Sequence, residues 1–113
     1  SLAYYTNAVN LLINKIGGNF KVFAFSDDPE WVSSNLKLPV DIYFVKNNSS
    51  EYNYEDLRLM SECDHNIIAN SSFSWWGAWL NTNHNKIVIT PSKWYADKST
   101  KNDDITPSNW IKI

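Results

Sequence analysis

The pattern of apolar and polar positions changes period several times along the chain. Tyr5, Val9, Leu12 and Ile16 follow one another at helical spacing, with Ala8 beside them, and predict a helix with one apolar face. Gly17-Gly18 closes it, because glycine readily takes the left-handed conformation that ends helices. Lys21 to Phe25 is a short continuous apolar run, as expected of a parallel strand covered on both faces. Asp28-Pro29 supplies a cap and a favoured first helical residue, so a short helix should run to about Leu36, with Pro39 beyond it. Asp41 to Val45 reads as a second strand, and residues 46–53 as a polar surface loop.

The second half repeats this grammar. Tyr54 to Cys63 predicts a helix with Leu57 and Met60 on one face, and Asn66 to Ala69 a short strand. Phe73 to Leu80 is apolar nearly all round, which predicts a buried helix whose Trp side chains mostly enter the core. Lys86 to Ile89 predicts a fourth strand ended by Pro91, and Trp110 to Ile113 a return to the sheet. Alternation of helix and strand predicts an α/β fold, a parallel sheet flanked by helices. In such folds ligands bind beyond the carboxyl ends of the strands, so the turns there are where chemistry should be sought.

Composition narrows the function. A net charge of −2 with ten scattered cations gives no basic face for nucleic acid. A single cysteine, Cys63, rules out an internal disulfide and suits a reducing compartment. His65, His84 and Cys63 are too scattered to suggest a zinc site. His65 reads as structural and His84 as solvated. Arg58 is the sole arginine, but the simpler role for it is a surface ion pair.

The segment from Ile67 to Leu80 carries the strongest signal. A strand runs into the polar turn Asn70-Ser71-Ser72, and the turn into a Trp-rich helix. The first N–H groups of a helix lack intrahelical partners, and the macrodipole adds positive potential there. With two serine hydroxyls alongside, the turn could hold an anion such as a diphosphate without any lysine. Read plainly, Ser71 and Ser72 cap the helix and the Trp side chains pack.

The run Asn70-Ser-Ser-Phe-Ser-Trp-Trp-Gly-Ala-Trp-Leu80 resembles a signature of the bacterial family 11 glycosyltransferases, the α-1,2-fucosyltransferases. Phe25-Ser-Asp-Asp-Pro-Glu-Trp31, and Asp56-Leu-Arg-Leu-Met-Ser61 followed by His65-Asn-Ile-Ile68, resemble the same family in order and spacing. The resemblance implies a Rossmann-like lobe of a two-lobed, GT-B-type enzyme that requires no metal or other cofactor. It implies a GDP-β-L-fucose donor, a galactose-containing glycan acceptor, and inversion at the transferred sugar. By motif position, Ser71 and Ser72 would bind the diphosphate and Phe73 would wall the nucleotide. Asp56 would accept hydrogen bonds from the guanine edge, while Asp27 and Asp28 could line the cleft. An acidic pair at Asp27-Asp28 could also suggest metal binding, yet Asp28 before Pro29 is better read as a cap.

The family's upstream His-x-Arg-x-Gly-Asp-Tyr-like motif does not occur in these residues. The expectation is therefore a donor-binding lobe over residues 1–113 of a longer enzyme. Its partner lobe and catalytic base would lie elsewhere. The expected location is the cytoplasm, at the inner face of a bacterial membrane. A competing expectation is a non-catalytic nucleotide- or carbohydrate-binding module with exposed Trp75 or Trp79 as its platform. The tail aromatics Trp94 and Tyr95, next to Lys93, could stack on a base or sugar.

Overall fold

The computed structural model describes residues 2–45, 53–92 and 106–113. Of the expected loop at 46–53 all but Asn53, which opens a helix, lies outside the described residues, as does the segment Lys93-Trp94-Tyr95. The chain divides into two compact units, Ser1–Asn53 and Tyr54–Ile113, each treated by itself.

The first unit begins with α1 (Leu2–Ile16), which buries Ala8, Val9 and Leu12. Gly17 ends it at φ 84°, in the left-handed region, with its N–H donating to Ile13 O at 2.8 Å. Strands β1 (Lys21–Ala24) and β2 (Asp41–Phe44) pair in parallel, with Phe23 opposite Tyr43. Helix α2 (Pro29–Asn35) connects them. The expectation that β1 is covered on both faces fails. Burial alternates along both strands, and Phe23 and Tyr43 stand half exposed on one face with ring centroids 5.8 Å apart. Nothing in the described part of this unit packs over that face closely enough to bury it.

The second unit contains α3 (Asn53–Glu62), β3 (Asn66–Ile67), α4 (Ser72–Trp79), β4 (Val88–Thr90) and β5 (Ile111–Lys112). Its three strands are parallel in the order β3-β4-β5. Central β4 is buried throughout, which explains its unbroken Val-Ile-Thr run. Ile68, Ala78, Val88 and Trp110 form the core, with Trp75 packed against it. The fold class is thus α/β with parallel strands, as the alternation of elements required. The strands form two sheets, β1-β2 and β3-β4-β5, rather than the single sheet expected.

Helices α3 and α4 meet where α4 has its smallest residue. A Cβ placed on Gly77 would come within 2.9 Å of Met60 Cβ and 3.0 Å of Met60 Sδ. One turn further on, Asn81 Nδ2 donates to Cys63 O at 2.7 Å. Met60 pairs with Gly77 and Cys63 with Asn81, so the two helices run in the same direction. Their carboxyl ends are joined by a buried amide network. Asn81 Nδ2 also donates to Asn66 Oδ1 at 2.8 Å, and Asn66 Nδ2 donates to Met60 O at 2.8 Å. Asn81 Oδ1 accepts the Asn83 N–H at 2.9 Å. Lys86 adds its ammonium to the last carbonyls of this region, Ala78 O at 2.9 Å and Asn81 O at 2.7 Å. Desolvation at this position pulls the lysine pKa below its ordinary value.

The expectation that α4 is buried all round also fails. Gly77 and Ala78 are buried, but Trp76, Trp79 and Leu80 are each about half exposed, at 49%, 51% and 48%. Close approach to α3 and the core uses the small residues, which turns these bulky ones outward.

Candidate functional site

The head of α4 emerges from the carboxyl end of β3, the edge at which parallel α/β folds bind ligands. Ser71 is the N-cap, in extended conformation. Its Oγ accepts the Ser74 N–H at 3.2 Å, and its carbonyl accepts the Trp75 N–H at 3.1 Å. The Ser71 and Ser74 hydroxyls lie 2.8 Å apart, and Ser74 Oγ donates to Ala69 O at 3.0 Å. With its proton directed to Ala69, Ser74 can only accept from Ser71. Both hydroxyls are then engaged in holding the turn.

This leaves a defined set of groups facing outward. Ser72 is exposed, and among the described residues no hydrogen bond takes up its hydroxyl or the N–H groups of Ser72 and Phe73. These are donors at the positive end of a helix dipole, open to solvent. The turn therefore separates two serines that look equivalent in sequence: Ser71 caps, while Ser72 remains available.

Asp56 lies in the first turn of α3, which packs on α4 through Met60 and Gly77. It lies four residues before Met60, as Phe73 lies four before Gly77. Each therefore lies about one helical turn before the Met60–Gly77 contact on its own helix. Asp56 and Phe73 are both half-buried. Ser71, Ser72 and Phe73 thus stand together at the head of α4, and Asp56 lies in the first turn of α3 of the same unit.

Asp27 and Asp28 belong to the first unit, at the turn after β1. Asp28 is the cap of α2: its Oδ1 accepts the Trp31 N–H at 3.2 Å, and its own N–H donates to Ser26 Oγ at 3.0 Å. Asp27 is exposed.

Arg58 makes the surface ion pairs expected of it. Its guanidinium reaches Glu55 at 2.9 Å and Glu62 at 3.1 Å, all three side chains being well exposed. The hydrogen bond that it donates to Glu55, and then the charges of Glu55 and Glu62, hold its pKa above the ordinary value. His65 is structural, its Nδ1 accepting the Ile87 N–H at 2.9 Å. Partial burial, and then the charges of Asp64 and Glu62, push the Cys63 thiol pKa up, so it is a poor nucleophile. Among the described residues, no three of His, Cys, Asp and Glu cluster so as to hold a metal ion. No helix among them is long and apolar enough to cross a membrane.

An open cleft of about 470 Å³ lies between Gly18 and Lys21 on one side and Pro39 and Asp41 on the other. It sits at the amino ends of β1 and β2, the wrong edge for a ligand site in this class of fold. Position and free donors favour the head of α4 over size alone.

The roles of Ser74, Gly77 and Asn81 were missed from sequence. The spacing of Ser71 and Ser74 is that of an N-cap and its third helical residue, which could have flagged the first of these.

The described elements are parallel strands with intervening helices, and the head of α4 presents N–H groups and a serine hydroxyl to solvent. The chain belongs to glycosyl transferase family 11, whose family model matches residues 1–113. It is 41% identical over 110 residues to the O-antigen biosynthesis glycosyltransferase WbnK of Escherichia coli, covering 97% of this chain and 35% of that protein. It is 36% identical over 114 residues to an Escherichia coli alpha-1,2-colitosyltransferase, covering 97% of this chain and 38% of that one. The chain thus spans about a third of the length of these relatives. No solved structure matches it.

Proposed function

We propose that these residues form the donor-binding part of an inverting α-1,2-fucosyltransferase that transfers L-fucose from GDP-β-L-fucose to a galactoside hydroxyl. The observation that carries the reading is the open head of α4, lying in the segment most like the family signature. In this reading the Ser72 hydroxyl and the N–H groups of Ser72 and Phe73 meet the diphosphate. Ser71 and Ser74 hold the turn, and Phe73 walls the nucleotide. Asp56 accepts two N–H groups from the guanine edge.

In the intact enzyme the acceptor hydroxyl gives its proton to a base outside these residues. Its oxygen bonds to the anomeric carbon as the bond from that carbon to the diphosphate breaks, and GDP leaves with the electron pair. Donors already oriented at the head of α4 stabilise the charge that grows on the leaving group. The enzyme would work in the cytoplasm at the inner face of the membrane, on a glycan of the O-antigen type. The relative named as a colitosyltransferase makes the identity of the sugar the part most in need of test.

The base-reading role of Asp56 has a selective test. In the full-length enzyme Asp56→Asn should weaken GDP binding by roughly 10- to 100-fold, since an amide turns one acceptor into a donor against guanine. UDP, which lacks the guanine edge, should bind both proteins alike in calorimetry. Equal loss for both nucleotides, or no loss of GDP affinity, refutes the assignment. Turnover with GDP-fucose against the corresponding colitosyl donor decides the sugar.

A non-catalytic carbohydrate-binding module is the second reading, and the exposure of Trp79 favours it. It requires that the protein bind free glycan without any nucleotide.

A further inference from the structure

Two kinds of hydrogen bond shape the turn between β3 and α4, and they can be separated. The Ser71 cap acts on the first turn of the helix: its Oγ accepts the Ser74 N–H and its carbonyl accepts the Trp75 N–H. These bonds use only the backbone of position 74, so any residue there but proline preserves them. The Ser74 side chain works over a longer span. Its single proton lies between Ala69 O at 3.0 Å and Ser71 O at 3.1 Å, and its oxygen stands 2.8 Å from the Ser71 hydroxyl. Ala69 is outside the helix, two residues past the end of β3. The bond to it closes a loop from the strand exit to the third residue of α4. The Ser72 hydroxyl and the N–H groups of Ser72 and Phe73 all lie on the chain between those two points.

We propose, on the donor reading of this turn, that Ser74 is a positioning residue: its hydroxyl fixes the direction of the Ser72 and Phe73 N–H groups without touching the ligand. The physical basis is preorganisation. Donors already aimed at an anion need no ordering when it arrives, whereas a loosely held turn must be ordered at the expense of binding. The burial pattern agrees with this division. Ser74 is half-buried while Ser71 and Ser72 are exposed, so the brace is set back from the surface that a ligand meets. Ser71 keeps the helix capped, and Ser74 ties that cap to the sheet.

The test uses the full-length enzyme with GDP as the probe. It reads calorimetric affinity and unfolding temperature for Ser74→Ala, Ser74→Thr and Ser72→Ala. Ser74→Ala retains the cap, so its unfolding temperature should stay within about 2 °C of the parent. Its GDP affinity should fall roughly 5- to 10-fold, because the donors are present but no longer held in one direction. Ser74→Thr returns a hydroxyl to the same place and should bring the affinity back to within about twofold of the parent. Parent-like GDP binding by Ser74→Ala overturns the proposal. A loss that threonine does not restore also overturns it, as does one accompanied by a larger fall in unfolding temperature, which marks a purely structural bond. Ser72→Ala separates the positioning role from the donor reading. If Ser72→Ala weakens GDP and Ser74→Ala does not, positioning fails and the donor site stands. If Ser72→Ala binds GDP like the parent, the donor reading fails and the positioning role falls with it.

Discussion

Replacing Asn81 with leucine is expected to cost about 3 kcal/mol or more of folding stability, because it strands several polar groups at once. Asn81 is only 4% exposed, and its amide satisfies Cys63 O, Asn66 Oδ1 and the Asn83 N–H. Leucine keeps the approximate volume but cannot replace any of these bonds. Each buried group left without a partner costs about 1–3 kcal/mol, although relaxation toward water will recover part of it. Asn66 would be affected in turn, since its side chain links the same network to Met60 O. A loss of this size is a large fraction of a typical 5–15 kcal/mol total. Urea denaturation should show the midpoint falling by roughly 1–2 M with little change in slope. A midpoint within about 0.3 M of the parent would mean that the amide network does not hold the helix ends together.

The second large effect concerns Gly77. Alanine normally strengthens a helix relative to glycine by up to about 1 kcal/mol. Here the sign should reverse. The added methyl would meet Met60 Cβ at 2.9 Å, an atom fixed to the backbone of α3, so the helices themselves must separate. Overpacking of this kind costs about 1–3 kcal/mol net. Gly18→Ala provides the contrast, since a Cβ there meets only Ile13 Cγ2, at 4.0 Å, and should be close to neutral. Thermal unfolding of the two variants side by side checks the pair. If Gly77→Ala is as stable as Gly18→Ala, the close contact between α3 and α4 is not present in solution.

Much of this was legible in the residues. Capping and stop chemistry placed α2 and the end of α1 well, because Asp28-Pro29 and Gly17 act through their immediate neighbours. The parallel strands followed from alternation of element types. What failed depended on partners far along the chain. The β1 run is apolar on both faces, and only tertiary packing decides that Phe23 and Tyr43 stay partly open. The Trp-rich helix gives a weak directional signal, since tryptophans occur around most of it. Which side faced inward was settled by Gly77 and Ala78, small residues that carry little weight in a hydrophobic pattern.

The candidate site was legible as a location but not as a division of labour. Ser71 and Ser72 are adjacent and chemically identical. Their roles separate because extended backbone at Ser71 aims its hydroxyl back along the helix toward Ser74. The packing of α3 on α4 rests on the Met60–Gly77 contact, which no local pattern reveals.

The most direct measurement is calorimetric titration of the full-length enzyme with GDP, comparing Ser72→Ala with Ser71→Ala. Removing the Ser72 hydroxyl should weaken GDP about 10-fold, the worth of one hydrogen bond to a charged group, while leaving the unfolding temperature unchanged. Ser71→Ala should instead lower the unfolding temperature, as loss of a cap does. GDP binding to Ser72→Ala as tightly as to the parent would contradict the account.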